Sequence, residues 1–407
     1  MQEPVRIFTA GHVDDGKSTL IGRLLFDNHS LFDDQLSALE KSSSNGALDF
    51  SLLTDGLKAE RDQGITIDVA YRYFSTQNRK FIFADSPGHE QYTRNMATAA
   101  SNADVLLLLI DARKEIATQA KRHSIIASLL GIRHFVIAIN KMDLVGYSQA
   151  VFETLKQQYL TFATSLPLKT IQFIPISALK GDFVVNKSDF MPWYEHETLL
   201  KLLEKSQVSP LSNDAPWRLP IQCVLRHENR RFYAGGLSAG CMKRKELAIS
   251  FPSRHTIEIE SIIHLGKEVA KAHHPQSIAV SLNKEIDLSR GALLSSSART
   301  PQIGSEITAQ LIWMDDFVRA TIGASYLLMH TTQTVVAKID CIVSELHVDT
   351  LQSASINELI ANQIGIVQLS LQKPIFYDAY SEIKATGSFL LIDPETNRTL
   401  CAGMILS

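Results

Sequence analysis

The octapeptide Gly11-His12-Val13-Asp14-Asp15-Gly16-Lys17-Ser18 limits what this chain can fold into more than any other stretch. It follows an apolar run, Val5–Ala10, that reads as a buried strand. It precedes Lys17–Phe26, where Leu20, Leu24 and Leu25 fall on one helical face. A strand, a turn of the form G-x-x-x-x-G-K-[ST] and a helix make a phosphate-cradling loop. Gly11 and Gly16 let the backbone curl so that its N–H groups point at phosphate oxygens, and the positive end of the following helix adds to the field. Lys17 is expected to bridge the outer two phosphates and Ser18 to bind Mg²⁺ through its hydroxyl, with Thr19 completing the segment.

The rest of the first half has the rhythm such a loop requires. Phe81–Ala84, Val105–Ile110, Phe135–Ile139 and Phe173–Ile176 read as strands. Between them lie helical patterns at Ala117–Leu130 and at Phe152, Leu155, Tyr159 and Phe162. Strands alternating with helices imply βαβ units and a doubly wound, mostly parallel sheet.

Three further motifs fall at strand ends. Asp85-Ser86-Pro87-Gly88-His89 follows Phe81–Ala84. Asp85 sits where a carboxylate can hold Mg²⁺, usually through water. Gly88 can bring its N–H to the last phosphate, since it has no side chain to block the approach. His89 would lie beside an attacking water. Asn140-Lys141-Met142-Asp143 follows Phe135–Ile139. Asp143 can accept from the N1–H and exocyclic amine of guanine, donors that adenine lacks at those positions. Asn140 and Lys141 would pack against the base and the phosphate loop. The backbone of Ser177-Ala178-Leu179, after the last strand, can contact guanine O6. The nucleotide implied is GTP, with Mg²⁺.

Between Phe26 and Tyr71 lies Glu60-Arg61-Asp62-Gln63-Gly64-Ile65-Thr66. Thr66 is the switch threonine expected to complete the Mg²⁺ shell only while the γ-phosphate is present. His89, Lys17 and Thr66 are the expected catalytic set, and Ser18, Thr66 and Asp85 the metal set. Arg61 and Arg94 are read as surface ion-pairing residues.

The chain has 407 residues, too many for one ordinary core. Around Ser206–Pro216 the composition turns to Ser, Pro, Asn and Asp, a linker signature. Beyond it helical periodicity nearly vanishes. Leu219–Leu225, Leu247–Phe251, Thr256–Ile263 and Ser277–Leu282 suggest one β-barrel. Thr308–Trp313, Tyr326–His330, Thr334–Val343, Gly365–Leu371, Ser388–Ile392 and Cys401–Leu406 suggest a second. The expected division is 1–208, 216–305 and 306–407.

Forty basic residues against forty-three acidic ones give a net charge of −3, without the basic bias of a nucleic-acid carrier. Cys223, Cys241, Cys341 and Cys401 are isolated, so neither zinc nor a disulfide framework is expected, and they read as small, partly buried hydrophobes. No secretory signal opens the chain, and Val105–Ile110 is too short to cross a bilayer. A cytoplasmic protein with no membrane association is expected. Lys243-Arg244-Lys245 reads as a solvated turn.

Together the motifs resemble the translation-factor GTPases of the elongation factor Tu type. A nearer resemblance is to the GTP-binding large subunit of two-subunit bacterial sulfate adenylyltransferase. It is carried by the double aspartate Asp14-Asp15, by Leu57–Phe74, His89–Ser101, Lys121–Ile132 and Met191–Tyr194, and by Leu369–Ile375, Ala385–Pro394 and Ala402–Ile405. The resemblance implies a GTPase domain followed by two barrels. It also implies a small partner subunit of the ATP-pyrophosphatase type, in a heterodimer or higher assembly, that makes adenosine 5′-phosphosulfate and pyrophosphate. GTP hydrolysis on this chain would drive that uphill reaction. A translation factor delivering aminoacyl-tRNA is the alternative, as is a paralogue in a specialised sulfur pathway. His196-Glu197 replaces the family's usual Gly-Pro, and Lys243–Glu246 stands where a Gly-Asp turn is usual.

Overall fold

The computed structural model describes residues 4–30, 50–53, 68–89, 92–206, 215–227, 230–348 and 352–407. Thr66 and Arg61 therefore lie outside the described residues, as does most of the Ser-Pro-rich linker. The chain forms two compact units, Met1–Val208 and Ser209–His347 with Gln352–Ser407.

The first unit is built on strands β1 (Val5–Ala10), β2 (Ala70–Ser75), β3 (Lys80–Asp85), β4 (Val105–Asp111), β5 (His134–Asn140) and β6 (Thr170–Pro175). Its helices are α1 (Lys17–Asp27), α2 (Thr93–Ser101), α3 (Thr118–Leu129), α4 (Gln149–Ala163) and α5 (Leu199–Lys205). The sheet order is β2-β3-β1-β4-β5-β6, parallel except for β2, which pairs antiparallel with β3. The expected doubly wound sheet is present. All seven residues of β4 are buried, because helices cover both faces of a parallel sheet. Val5, Ile7, Leu107 and Leu109 pack with Leu20, Leu24, Phe152 and Leu155 on one side, a core extended by Met191, Tyr194 and Leu199. Every loop carrying a motif leaves the carboxyl end of a parallel strand, where doubly wound sheets bind ligands.

The second unit is almost wholly β. Strands 302–313, 364–377, 333–346, 325–330, 388–392 and 399–405 pair in a ring that returns to its start, a closed six-stranded barrel. Along the first of these, alternate residues Ile307, Ala309, Leu311 and Trp313 point into the core. The other sheet runs from Arg218–Pro220 to Cys223–His227 through strands 293–296, 247–251, 256–264, 277–282 and 230–236.

Leu219–Leu225 is not one strand, as its apolar run suggested. Pro220 has no N–H for the ladder, and the chain changes partner there. Ile221 N–H donates to Ala292 O, whereas Gln222 N–H donates to Ala234 O. Cys223 is exposed rather than partly buried. Arg244 and Lys245 occupy a turn and pair with Glu268 and Glu258.

The two sheets of this unit are joined by a buried ion pair. Arg218 Nη2 and Nε reach Asp378 Oδ1 and Oδ2 at 2.8 and 3.0 Å. Thr386 Oγ1 donates to Asp378 Oδ2 at 2.7 Å, and Arg218 Nη1 donates to the Arg299 carbonyl at 2.9 Å. An apolar patch of Phe251, Leu293 and Phe376 lies in the same unit. Among the described residues no helix is long and apolar enough to cross a membrane.

Candidate functional site

The loop between β1 and α1 is shaped by its own backbone. Asp14 (φ 65°) and Gly16 (φ 93°) take left-handed conformations. Gly16 cannot be replaced without displacement, since a Cβ there would stand 2.5 Å from Asn140 Nδ2. Asp15 is buried, and its Oδ2 accepts the His12 N–H at 2.7 Å, closing the loop from within. Burial pushes the Asp15 carboxyl up, against the opposing pull of Lys17. Lys17 is also buried. Its Nζ donates to the carbonyls of Gly11 at 3.1 Å and His12 at 2.9 Å, so the ammonium lies across the loop. Burial lowers its pKa, opposed first by Asp85 and then by Asp15.

Beneath the loop, His123 of α3 is fully buried, and its Nδ1 accepts the Gly11 N–H at 3.3 Å. Burial, and then the nearby Lys17, pushes its pKa down to about 3. A neutral imidazole is what an acceptor role requires.

The end of β3 meets the loop because Thr9 and Asp85 are register partners on adjacent parallel strands. Asp85 Oδ2 accepts the Ser18 hydroxyl at 3.3 Å, and Asp85 Oδ1 accepts that of Thr9 at 3.3 Å. Ser86 Oγ donates to the Thr9 carbonyl at 2.6 Å. Pro87 and Gly88 are buried, and a Cβ on Gly88 would lie 2.7 Å from Lys17 Nζ, so the glycine faces the lysine directly. His89 is half-buried, its ring set edge-on to Tyr92 at 6.3 Å.

A hydroxyl and a carboxylate in contact are a hard-oxygen donor pair that fits Mg²⁺. Among the described residues no three His, Cys, Asp or Glu side chains gather as a cation cage. That suits magnesium, which keeps waters and takes substrate phosphate oxygens as ligands.

At the other end of the site, Asn140 closes β5 and links two loops. Its Nδ2 donates to the Asp15 carbonyl at 2.8 Å, and its Oδ1 accepts the Ala178 N–H at 2.9 Å. Lys141, left-handed at φ 63°, donates to the Asp14 carbonyl and lies 3.1 Å from Asp111 Oδ2. Met142 is fully buried and anchors the turn Met142–Val145 that carries Asp143. The Asp143 carboxylate is half-buried. Ser177 and Ala178 are buried, whereas Leu179 is half exposed.

The loops that carry the expected residues therefore meet at the carboxyl ends of β1, β3, β5 and β6, while Thr66 lies outside the described residues. Asp111 and His123 join them without having been expected. Asp111 is register partner to Asn140 and holds both Lys141 and Arg113, whose Nη2 reaches it at 2.7 Å. Burial alone would raise its carboxyl, but hydrogen bonds from Arg113, then Lys141, hold it well below the usual carboxylate range. Its position at a strand's carboxyl end was the available signal. For His123, one histidine in a helix of mixed polarity, there was none.

Residues 2–209 match the family described as the elongation factor Tu GTP binding domain. Residues 306–406 match the GTP-eEF1A C-terminal domain-like family. The chain is 47% identical to sulfate adenylyltransferase subunit 1 of Aeromonas salmonicida, covering 99% of this chain and 86% of that one. It is 45% identical to sulfate adenylyltransferase subunit 1 of Saccharophagus degradans, covering 100% and 87%. It is also 45% identical to the bifunctional enzyme CysN/CysC of Mycobacterium tuberculosis, covering 99% of this chain and 67% of that one.

Proposed function

Because this chain belongs to the sulfate adenylyltransferase subunit 1 family, within the elongation factor Tu type of GTP-binding proteins, we propose that it is the GTPase subunit of a sulfate-activating enzyme. It hydrolyses GTP to GDP and phosphate. That hydrolysis drives a partner subunit to make adenosine 5′-phosphosulfate and pyrophosphate from ATP and sulfate. The partner is a small subunit of the ATP-pyrophosphatase type, joined in a heterodimer or higher assembly in the cytoplasm.

The observation that carries the GTP reading is the pair of hydrogen bonds that Asn140 makes, donating to the Asp15 carbonyl and accepting from the Ala178 N–H. One side chain thereby sets the distance between a phosphate loop and a base-reading loop. The backbone from Gly11 to Gly16 and Lys17 hold the phosphates. Asp143 accepts from the guanine ring, while Ser177–Leu179 face its oxo edge. Ser18 and Thr66, with Asp85 through a water, would hold Mg²⁺, which neutralises charge building on the phosphates. His89 accepts a hydrogen bond from the attacking water and orients it. Such sites are slow alone, because a partner often completes the positioning and charge stabilisation.

The test is to mix the purified chain with the small subunit, ATP, sulfate and GTP. GTP turnover should rise over that of the chain alone, and adenosine 5′-phosphosulfate should accumulate with it. An unchanged GTP turnover would overturn the coupling.

A further inference from the structure

Arg23 sits on α1, six residues after Lys17, and belongs to none of the motifs. At 1.5 Å rise per residue it lies about 9 Å along the same helix that starts at the phosphate loop. Its Nη2 donates to the carbonyl of Lys180 at 2.5 Å. Lys180 directly follows Ser177–Leu179, the segment assigned to the guanine oxo edge.

The contact is built from both sides. Gly181 is left-handed at φ 87°, and a Cβ on it would stand 2.4 Å from Arg23 Nη2. The guanidinium therefore lies flat against a backbone that only glycine keeps open. The arginine is itself held: its Cζ lies 4.9 Å from the centre of the Phe50 ring, and its Nε is 3.2 Å from Asp27. The loop curls on itself through Gly181 N–H to Ser177 O at 2.8 Å and Lys180 N–H to Ser177 Oγ at 3.2 Å. Holding Lys180 thus holds Ser177 and Ala178. Asn140 grips this loop from the base side and Arg23 from the helix side.

We propose that Arg23 is a specificity-determining positioning residue: it fixes the 177–181 loop onto the phosphate-binding helix, so that the loop's backbone meets the 6-oxo group of the purine at a set distance from the phosphates. The proposal rests on the GTP-binding reading. Recognition is shared between the two. Asp143 reads N1–H and the 2-amino group, of which the 2-amino group separates GTP from ITP. The loop held by Arg23 reads position 6, which adds to N1–H in separating both from ATP.

Calorimetry of the full chain with Mg²⁺ and GTP, ITP or ATP tests this, on wild type, Arg23→Gln and Gly181→Ala. The two variants disturb the contact from opposite sides, so one that fails to fold leaves the other. Loss of a charge-assisted hydrogen bond should weaken GTP and ITP together by about tenfold or more. The GTP-to-ITP ratio should stay within about twofold, while the GTP-to-ATP ratio falls in step with the loss. Arg23→Lys, which keeps one donor, should recover part of it. Unchanged GTP affinity in a folded variant overturns the proposal, and so does an equal loss for ATP, which would mean general damage to the phosphate loop. A wild-type chain that does not prefer GTP over ATP overturns the GTP reading instead.

Discussion

Asp111 Oδ2 and Lys141 Nζ stand 3.1 Å apart, joining the end of one central strand to the start of the base-reading turn. Lys141 holds a left-handed backbone there, a conformation that survives only when the surroundings over-determine it.

Asp111→Asn should therefore destabilise the first unit by about 1–3 kcal/mol, since the Arg113 and Lys141 donors lose a charged acceptor. The pH dependence has a definite sign. The folded carboxyl titrates below its unfolded value of about 3.9. Its stabilisation is thus present above about pH 4 and is lost as pH falls through the lowered folded value. Urea titrations across pH 3–7 should show wild type and variant converging toward the acid end, where urea midpoints that stay equally separated throughout would contradict the assignment.

Asp143→Asn exchanges an acceptor for a donor facing the purine 2-position. GTP affinity should fall on the order of 100-fold, while XTP, which carries an oxo group there, should gain. Competition binding with both nucleotides reads the exchange. A loss of GTP with no gain of XTP would remove Asp143 from the base contact.

His89→Ala should leave GTP affinity within about threefold and slow single-turnover hydrolysis by about 100-fold, the range of a lost proton-handling or water-orienting group. Rapid-quench assays on the chain with its partner subunit separate the two quantities. If binding and hydrolysis fall together, His89 is shaping the loop rather than orienting water.

Asp378→Asn should cost the second unit about 3–5 kcal/mol, because it leaves the fully buried Arg218 guanidinium without its counter-charge. The double variant Arg218→Met, Asp378→Leu should cost less than the single one, since it removes both desolvated charges. Chemical denaturation followed by tryptophan fluorescence suits the test, as Trp217 and Trp313 are both fully buried. A double variant weaker than the single would place the stabilisation elsewhere.

The parallel strands were readable because burial on both faces forces continuous apolar runs such as Val105–Ile110. The four motif loops were readable because their chemistry needs fixed residue types at strand ends. Strand Ala70–Ser75 was not, since it lies at the sheet's edge, where Tyr71 and Tyr73 face outward. The long strands 302–313 and 333–346 extend past the runs read from sequence. Bulges near Gly304 and Ile339 break the two-residue alternation that marks a strand. Asp111 and His123 escaped notice for another reason: their roles depend on which residues stand beside them across strands and helices, a property of register rather than of composition.

The ring formed by strands 302–313, 364–377, 333–346, 325–330, 388–392 and 399–405 has a consequence for company as well as for stability. Around the closed part of such a cylinder no strand edge is left for another protein to extend. Whatever lodges against that wall must recognise it through outward-facing side chains alone, so affinity there can be tuned by surface substitution without disturbing the strands behind it.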